Sequence, residues 1–539
     1  QLRESSREAW LTQSGEVSAL AAYSLARVGR LREAVAVLEA GRARVLSESL
    51  AHDRTDLEEV RVSDPEAHAA YRQALARLRL LEAEGRRLMP VDDADEGLTA
   101  ETLRANLRQA RDAMNEAIER IRRVPGHTDF VSESDWDDVA RAVEPGKPLV
   151  YLLSTVSGSL ALLLSREPAD AGDGVSVEPV WFDDFTEVEL REAVDSWLDS
   201  YGAWRGDREQ RAQWLETIER VMGVLGRRLM KHLTERLRES GNAEAVLVAC
   251  GFWPLLPLHS AWTESEGGAR VYALDEVALS YTPSARALTY ARALAEAAGD
   301  AQNLLIVEDP APVTSAAQLP SLRLGMETVA SLFAEPEHLA REEATLAHVT
   351  QGLGRARVVH FACHGAHDWE APLGSGLLMA NDEMLTVGRL FDLRIGGARL
   401  ATLAACETGI VGTRLPDEAV ALPSALMQSG FAGAAASLWA VTDVSTALLM
   451  ESFYKLWREG GLVPPLALRE AQRRLRDARA ADLARRFREE RDRPASSGGL
   501  PRAAAARVWR WLEGFQPHEL PFAHPFYWAA FGYRVSEEV

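Results

Sequence analysis

Hydrophobic residues in positions 1–125 recur at spacings of three and four, with charged residues between them. This periodicity is typical of amphipathic α-helices. One predicted helix ends near Gly29, and a second begins within a few residues and carries Ala34. Two more helices are predicted near 65–88 and 100–123, separated by an acidic loop. The N-terminal part of the chain is therefore predicted to be helical throughout.

After residue 145 the pattern changes to short apolar runs separated by helical patterns. Two such runs flank Ser157–Gly158, which predicts a β-hairpin, and helices are predicted over 186–201 and 206–239. Strand–helix alternation predicts a mostly parallel sheet covered by helices, with sites where the strands end. The charged and then Gly/Ser/Pro-rich stretch near 479–504 is predicted to be an exposed insertion with a flexible middle. The later runs are AEAVLVACGF, NLLIVEDP, RVVHFACHG, RLATLAACETG and AGAAASLWAVTD.

Chain length and composition are typical of a globular protein with several domains. The chain has 539 residues, of which 47% are hydrophobic and 26% charged, and a chain of this length exceeds one hydrophobic core. With 60 Lys and Arg against 80 Asp and Glu, the net charge is -20. This charge argues against non-specific binding of nucleic acid, which requires a cationic surface. No apolar run approaches the roughly 18 residues of a membrane span, so no direct nucleic-acid partner and no membrane association are expected.

The three cysteines, Cys250, Cys363 and Cys406, are widely spaced along the chain. Three cysteines at such spacing make a poor disulfide framework, so a reducing, cytoplasmic location is expected. The chain begins with Gln, without a signal peptide and in the middle of a predicted helix. We therefore expect it to be a fragment or a processed piece of a longer protein.

The stretch VVHFACHGAH combines an apolar run with three histidines and a cysteine. If the strand ends at Ala362, alternation directs His360 into the core, and Cys363 is expected to be a small buried residue. His364 follows the end of the strand and precedes a glycine. His364 is therefore the histidine expected to meet solvent and substrate.

The apolar part of the stretch LATLAACETG is followed by Cys406, forty-two residues after this histidine. Two neighbouring parallel strands would bring Cys406 and His364 to the same edge of the sheet. A thiol beside an imidazole is the minimal requirement of thiol nucleophilic catalysis, and a nearby positive charge lowers the thiol pKa from about 8.5. The backbone N–H groups of Cys406 and Gly365 are candidates to bind an oxyanion.

A zinc site is the main alternative for the same histidines. The spacing of four residues could suit a zinc ion: His360, Cys363, His364 and His367. However, His360 would point into the sheet core rather than toward a shared ion.

The chain lacks the G-x-S-x-G, P-loop and G-x-G-x-x-G patterns, which removes support for a serine hydrolase, a P-loop enzyme or a dinucleotide enzyme. No metal and no organic cofactor is therefore expected.

Several segments together resemble the CHAT family, caspase-like peptidases commonly found beside tetratricopeptide repeats. They cover 145–539 in the family's order, and the helices around Gly29 resemble one tetratricopeptide unit, with an ordinary helical hairpin as the alternative. The resemblance implies that Cys406 is the nucleophile, that His364 is the catalytic histidine and that Gly365 helps to form the oxyanion hole. The segments are LLPLHSAW, LSYTPSARAL, LLIVEDP, VVHFACHGAH, LATLAACETG, DEAVALPSALMQSGFAGAAASLWAVTD, ALREAQRRL and HPFYWAAFGYRV.

Specificity is expected to come from residues near the nucleophile. Resemblance to separases, which share a Leu-Trp-x-Val-Thr-Asp segment, implies that Asp443 lines a pocket for a basic P1 side chain. The alternative is that Asp443 caps the helix that follows. Ala440 stands where separases carry a further Asp, which weakens the basic preference. Trp439 is a candidate wall of the site or a core residue, and Glu407 is a second acidic candidate or a solvated turn residue.

The domain organisation follows from these patterns and from the resemblance. It comprises tetratricopeptide-like helices over 1–60, a helical connector over 61–144, a non-catalytic first part over 145–300 and a caspase-like catalytic part over 301–539. The predicted function is a cysteine endopeptidase acting on a protein substrate. An activating or sensor partner is expected to bind the helical repeats. The alternatives are a catalytically silent scaffold and a thiol amidase or acyltransferase.

Overall fold

The computed structural model has a helical N-terminal part followed by an α/β part built on one large sheet. A mostly parallel sheet flanked by helices was the predicted fold class, and it is confirmed. The residues that the structure describes are 17–42, 60–61, 63–87, 96–124, 136–166, 174–314, 325–366, 368, 372–393, 395–405, 408, 421–492 and 502–534.

The N-terminal helices lie close to their predicted positions. Helices α1 and α2 are joined by a turn in which Gly29 has a φ of +78°, a conformation that glycine adopts without strain. Helices α3 and α4 pack against each other around their own small core, which includes Tyr71 and Ile121. Identification of the first pair as a tetratricopeptide unit stays a prediction. The bounds are α1 17–27, α2 Leu31–Ala40, α3 Pro65–Arg87, α4 Glu96–Arg122 and α5 Trp136–Ala142.

The first half of the sheet contains the predicted hairpin, since β1 and β2 pair antiparallel with Thr155 opposite Gly158. Helix α6 begins with a capping box between Thr186 and Glu189. The strands are β1 Leu149–Thr155, β2 Gly158–Arg166, β3 Val175–Phe182, β4 Glu244–Ala249, the separate pair β5 Trp262–Glu264 and β6 Arg270–Tyr272, and β7 Ala278–Tyr281. The helices are α6 Glu187–Gly206, α7 Arg211–Leu225, a π-helical turn Gly226–Met230, α8 Lys231–Glu239, α9 Ala273–Glu276 and α10 Ala285–Ala298.

The second half contains four of the predicted apolar runs as strands, together with a small three-stranded sheet. The strands are β8 Asn303–Glu308, β9 Glu335–Ala340, β10 Val358–Ala362, the small sheet β11 Gly365–Ala366, β12 Gly376–Leu378 and β13 Met384–Thr386, then β14 Ala398–Leu403, β15 Phe431–Ser437 and β16 Phe531–Arg534. The helices are α11 Met326–Ser331, α12 Leu346–Leu353, α13 Val387–Asp392, α14 Leu422–Ser429, α15 Asp443–Arg458, α16 Pro464–Arg476, α17 Ala480–Asp492, α18 Arg502–Leu512 and α19 Pro525–Trp528.

The two halves join into one eleven-stranded sheet of order β3-β2-β1-β4-β7-β16-β15-β14-β10-β8-β9. Strands β1, β4, β7 and β16 run parallel to one another, as do β15, β14, β10, β8 and β9. Strands β15 and β16 are antiparallel. The carboxyl ends of β15, β14, β10, β8 and β9 therefore lie at the opposite edge of the sheet from those of β1, β4, β7 and β16.

Side chains alternate across the sheet and fill a core on each face. One core extends over both halves and includes Leu152, Ile306 and Leu400. The other face carries separate cores for the two halves, with Tyr151 in one and Phe361 in the other. The large shared core is the main contact that makes the two halves one body.

The prediction of an exposed insertion near 479–504 is wrong for its described flanks. Helices α17 and α18 pack against each other, and Leu483, Phe487 and Val508 are buried in the shared core. These apolar residues recur at helical spacing, so burial of one face stabilises both helices. The predicted flexible middle, 493–501, lies outside the described residues.

Candidate active site

The paired carboxyl ends of β10 and β14 form the edge at which the site was expected. These strands are parallel neighbours, with Val358 opposite Leu400 and Phe361 opposite Leu403. The two residues of each pair are forty-two positions apart along the chain. Because both strands end within one or two residues of these positions, the two following segments leave the sheet side by side.

His364 and Gly365 follow Cys363, the first residue after β10, and are half-buried. The backbone C=O of His364 accepts a 2.9 Å hydrogen bond from the N–H of Leu378, and Gly365 pairs with Leu377 in the small sheet. In an antiparallel ladder this combination makes Gly365 and Leu377 a non-hydrogen-bonded pair. The N–H of Gly365 therefore points away from β12.

The small sheet depends on a close approach at Gly376. A Cβ atom at this position would lie 2.6 Å from the backbone oxygen of Leu385 and 2.8 Å from the Cα of Thr386. Glycine therefore lets β12 and β13 pack closely. This packing supports the strand that pairs with Gly365.

The described residues just after β14 are buried. Ala404 and Ala405 are buried, and so is Thr408. The predicted nucleophile Cys406 and the acidic candidate Glu407 lie outside the described residues. Their predicted roles therefore stay predictions.

Ser437, the last residue of β15, contacts both Ala405 and Thr408. Its hydroxyl donates a 2.6 Å hydrogen bond to the C=O of Ala405, and its backbone N–H donates a 3.1 Å hydrogen bond to the hydroxyl of Thr408. Sequence reasoning missed Ser437 and Thr408. The sequence offered only a weak signal for them: Ser437 lies at the end of an apolar run, and Thr408 lies two positions after the cysteine.

The segment after β15 is held by the first half of the protein. Trp439 is fully buried, its indole N–H donates a 3.0 Å hydrogen bond to the C=O of Phe526, and its ring contacts Trp197 and Trp214. The described structure therefore gives Trp439 a packing role, and a role as a wall of the site stays a prediction. The next residue, Ala440, donates its N–H to the hydroxyl of Tyr201 at 2.9 Å.

Helix α15 begins at Asp443, one residue earlier than the sequence predicted. Thr442 is therefore the N-cap residue, and the alternative that Asp443 is the N-cap is wrong. The side chain of Asp443 lies outside the described part of the structure. Its predicted place in a substrate pocket stays a prediction.

His360 and Cys363 are buried, as expected from strand alternation. Burial lowers the pKa of His360 to about 4, because desolvation disfavours the charged imidazole. The ring of His360 packs edge-on against Tyr454, with centroids 5.6 Å apart. Among the described side chains, no group of three or more His, Cys, Asp or Glu residues is placed to hold a metal ion, and His367 lies outside them.

Strained backbone lies beside the same edge, just after the ends of β8 and β9. Asp309 and Arg341 both have left-handed φ values, 41° and 54°, which non-glycine residues rarely adopt. An ion pair of 2.6 Å joins their side chains, and the N–H of Asp309 donates to the C=O of Ala362 at 2.8 Å. These contacts hold the end of β10 in place. No local sequence pattern identified this pair.

The fold and this edge define an α/β protein with a half-buried histidine and a glycine N–H at the carboxyl end of a central strand. The model of the CHAT domain matches residues 219–536, and the chain belongs to the CHAT domain family. Comparison with curated proteins gives no match. No described helix combines the length and apolar character needed to span a membrane.

Solved structures similar to this chain include separase–securin complexes and a complex of RgpB domains. Two Saccharomyces cerevisiae separase–securin complexes align with TM-scores of 0.42, at 9% and 10% identity, over 76% and 83% of this chain and 33% and 34% of theirs. The complex of the pro- and mature domains of RgpB from Porphyromonas gingivalis aligns with a TM-score of 0.31 and 12% identity, over 45% of this chain and 63% of that one. The chain therefore spans about a third of the length of the separase chains.

Proposed function

We propose that the protein is a cysteine endopeptidase in which Cys406 is the nucleophile and His364 is the general base. The pairing of β10 with β14 is the observation that carries this proposal. Its offset of forty-two residues equals the separation of His364 from Cys406 along the chain. Membership of the CHAT domain family supports the same assignment.

In the proposed reaction, His364 takes the thiol proton and the sulfur of Cys406 attacks the carbonyl carbon of the scissile peptide bond. The N–H of Gly365, which points away from β12, and the N–H of Cys406 stabilise the oxyanion that forms. The C–N bond then breaks as His364 donates the proton to the leaving amine. A water molecule, deprotonated by His364, attacks the thioester, and the product acid and the thiol are released.

Substrate selection is proposed to rest on the segment between β15 and α15. A carboxylate at Asp443, with Glu407 as a second candidate, would favour Arg or Lys at P1 through a charge-assisted hydrogen bond. The buried ring of Trp439 would act by supporting this segment. The hydrogen bond from Ala440 to Tyr201 fixes the backbone of the same segment.

Regulation is proposed to act through a partner that binds the helical N-terminal part. Helix α2 is joined to the sheet by buried polar contacts, including a 2.7 Å hydrogen bond from the hydroxyl of Tyr151 to Glu39. Just after the helix, Arg42 donates a 2.7 Å hydrogen bond to the C=O of Ala249 at the end of β4. These contacts would transmit a movement of the helices to the sheet.

Covalent labelling by acyloxymethyl ketone peptides with P1 Arg, Lys, Leu or Asp tests the proposed function. Labelling is read as a gain in intact mass for the wild type, Cys406→Ala and His364→Ala. We expect labelling of the wild type, none of Cys406→Ala and a rate roughly 10²- to 10⁴-fold lower for His364→Ala. Wild-type labelling that persists in Cys406→Ala would contradict the assignment of the nucleophile.

A further inference from the structure

Two buried hydroxyl residues are joined by a hydrogen bond close to the described residues on either side of the predicted nucleophile. Ser437 and Thr408, here called the hydroxyl pair, are almost completely buried, with exposed fractions of 0% and 1%. The carbonyl to which Ser437 donates belongs to Ala405, which is also buried at 1% exposure. Solvent therefore does not replace these hydrogen bonds when one of them is removed.

The hydroxyl pair forms hydrogen bonds just beyond the last backbone pair of the β14–β15 ladder. The last pair of the β14–β15 ladder is Leu403 with Ala436. One residue further, the contacts between the segments are those of Ser437, whose hydroxyl reaches the C=O of Ala405 at 2.6 Å and whose N–H reaches the hydroxyl of Thr408 at 3.1 Å. A buried backbone carbonyl needs such a partner once it has left the ladder.

The two ends of these hydrogen bonds flank Cys406 along the chain. Ala405 immediately precedes Cys406, and Thr408 follows it by two positions. The hydroxyl of Thr408 also lies 3.4 Å from the C=O of Ala405 and 3.5 Å from the hydroxyl of Ser437, so these three residues contact one another. A described residue on each side of the nucleophile is thereby joined to the end of β15.

We infer that Ser437 and Thr408 are positioning residues that hold the thiol of Cys406 toward His364. This inference rests on the proposed function. Neither hydroxyl is required to touch the substrate, because both act through the backbone on either side of Cys406. Catalytic groups must be held within about half an ångström of the productive geometry, and a displacement of about 1 Å reduces rates roughly a hundredfold.

The test measures the rate of alkylation of Cys406 by iodoacetamide in the folded protein as a function of pH. Peptide mass mapping distinguishes a label on Cys406 from a label on Cys250 or Cys363, both of which are buried. The variants are Ser437→Ala and Thr408→Val, each lacking one hydroxyl, and Thr408→Ser, which keeps it. Ser159→Ala is the matched control, since Ser159 is equally buried and donates to the C=O of Phe185 in the first half.

We expect Ser437→Ala and Thr408→Val to alkylate at least about tenfold more slowly near neutral pH, with the pH profile moved toward that of a free thiol. Thr408→Ser and Ser159→Ala should keep the wild-type rate and profile. If Ser437→Ala fails to fold, Thr408→Val, which preserves side-chain volume, carries the test. Wild-type rates and profiles in folded Ser437→Ala and Thr408→Val would overturn the inference.

A His364→Ala arm separates this inference from the proposed function. Slower alkylation in His364→Ala, with no change in the hydroxyl variants, overturns the positioning role and keeps the dyad. Slower alkylation in the hydroxyl variants, with no change in His364→Ala, contradicts the dyad and, with it, a role of the hydroxyl pair in holding the thiol toward His364.

Discussion

The hydroxyl of Tyr201, on α6 in the first half of the protein, accepts a 2.9 Å hydrogen bond from the backbone N–H of Ala440 in the second half. Both residues are buried. Ala440 lies three positions before Asp443, in the segment predicted to select the substrate. The first half of the sheet region therefore holds the backbone of a segment that belongs to the second.

Replacing Tyr201 with Phe should leave the N–H of Ala440 buried and unpaired. We expect the free energy of unfolding to fall by about 1–3 kcal/mol, and the difference in labelling rate between P1 Arg and P1 Leu probes to shrink. Tyr454→Phe is the control, because it removes a buried 2.9 Å hydrogen bond to Thr402 in the same core. Equal effects of both substitutions on probe preference would show that Tyr201 has no particular role in specificity.

Gly376→Ala should disrupt the small sheet that supports Gly365. The new methyl group would overlap the backbone of Leu385, so β12 must move away from β13. We expect slower labelling by the ketone probes, with a smaller loss of overall stability. Gly374→Ala provides the control, since a Cβ there would have its nearest neighbour, Asp368, at 3.5 Å. Unchanged labelling of Gly376→Ala would contradict a role of the small sheet in the oxyanion site.

A cysteine introduced at His364 should form a disulfide with Cys406 under mild oxidation. Neighbouring strands lie about 4.8 Å apart, within the range of Cα separations that a disulfide spans. The measurement is peptide mass mapping without reduction, together with a count of free thiols. His360→Cys is the control, because that position pairs with Thr402 inside the sheet. Failure of His364→Cys to cross-link would contradict the continued pairing of the two segments.

Buried histidines should make the protein less stable in mild acid. Desolvation lowers the pKa of His360 from 6.5 to about 4, Glu308 opposes this shift and His338 adds to it. Between these pH values the unfolded chain binds a proton that the folded chain does not, so the free energy of unfolding falls as the pH falls from 6.5 to 4.

His360→Phe should reduce this loss by a few kcal/mol, because it removes the titrating ring. Among the described residues, neither ring nitrogen of His360 has a hydrogen-bond partner, so the substitution removes no hydrogen bond seen there. Urea unfolding across the pH range measures the effect. His232→Asn, at an exposed position, should behave like the wild type. Parallel pH profiles of His360→Phe and wild type would contradict the expectation.

Much of the fold was predictable, because the central strands are continuous apolar runs bounded by turns. Strand β10 is an example, since all five of its residues are buried. Edge strand β9 was missed because its sequence, EPEHLA, contains no long apolar run and its residues are exposed or half-buried. The insertion of β16 between β7 and β15 was equally unpredictable, because strand order and direction depend on contacts between distant parts of the chain.

The candidate site also has a part that the sequence predicted and a part that it did not. The place of His364 follows from strand recognition alone, since the end of an apolar run fixes it. The contacts of Ser437 and Thr408 join residues that are twenty-nine positions apart, and serine and threonine after strands are common. Local sequence therefore indicated the candidate dyad but not the groups that hold the backbone around it.

Mapping of cleavage sites tests the central claim most directly. A mixture of native proteins is incubated with the wild type, Cys406→Ala or His364→Ala, and new N-termini are identified by mass spectrometry. We predict new N-termini after Arg or Lys with the wild type, absent with Cys406→Ala and strongly reduced with His364→Ala. Identical N-termini in all three samples, from a wild type that the ketone probes do label, would contradict an endopeptidase and favour a thiol amidase or acyltransferase.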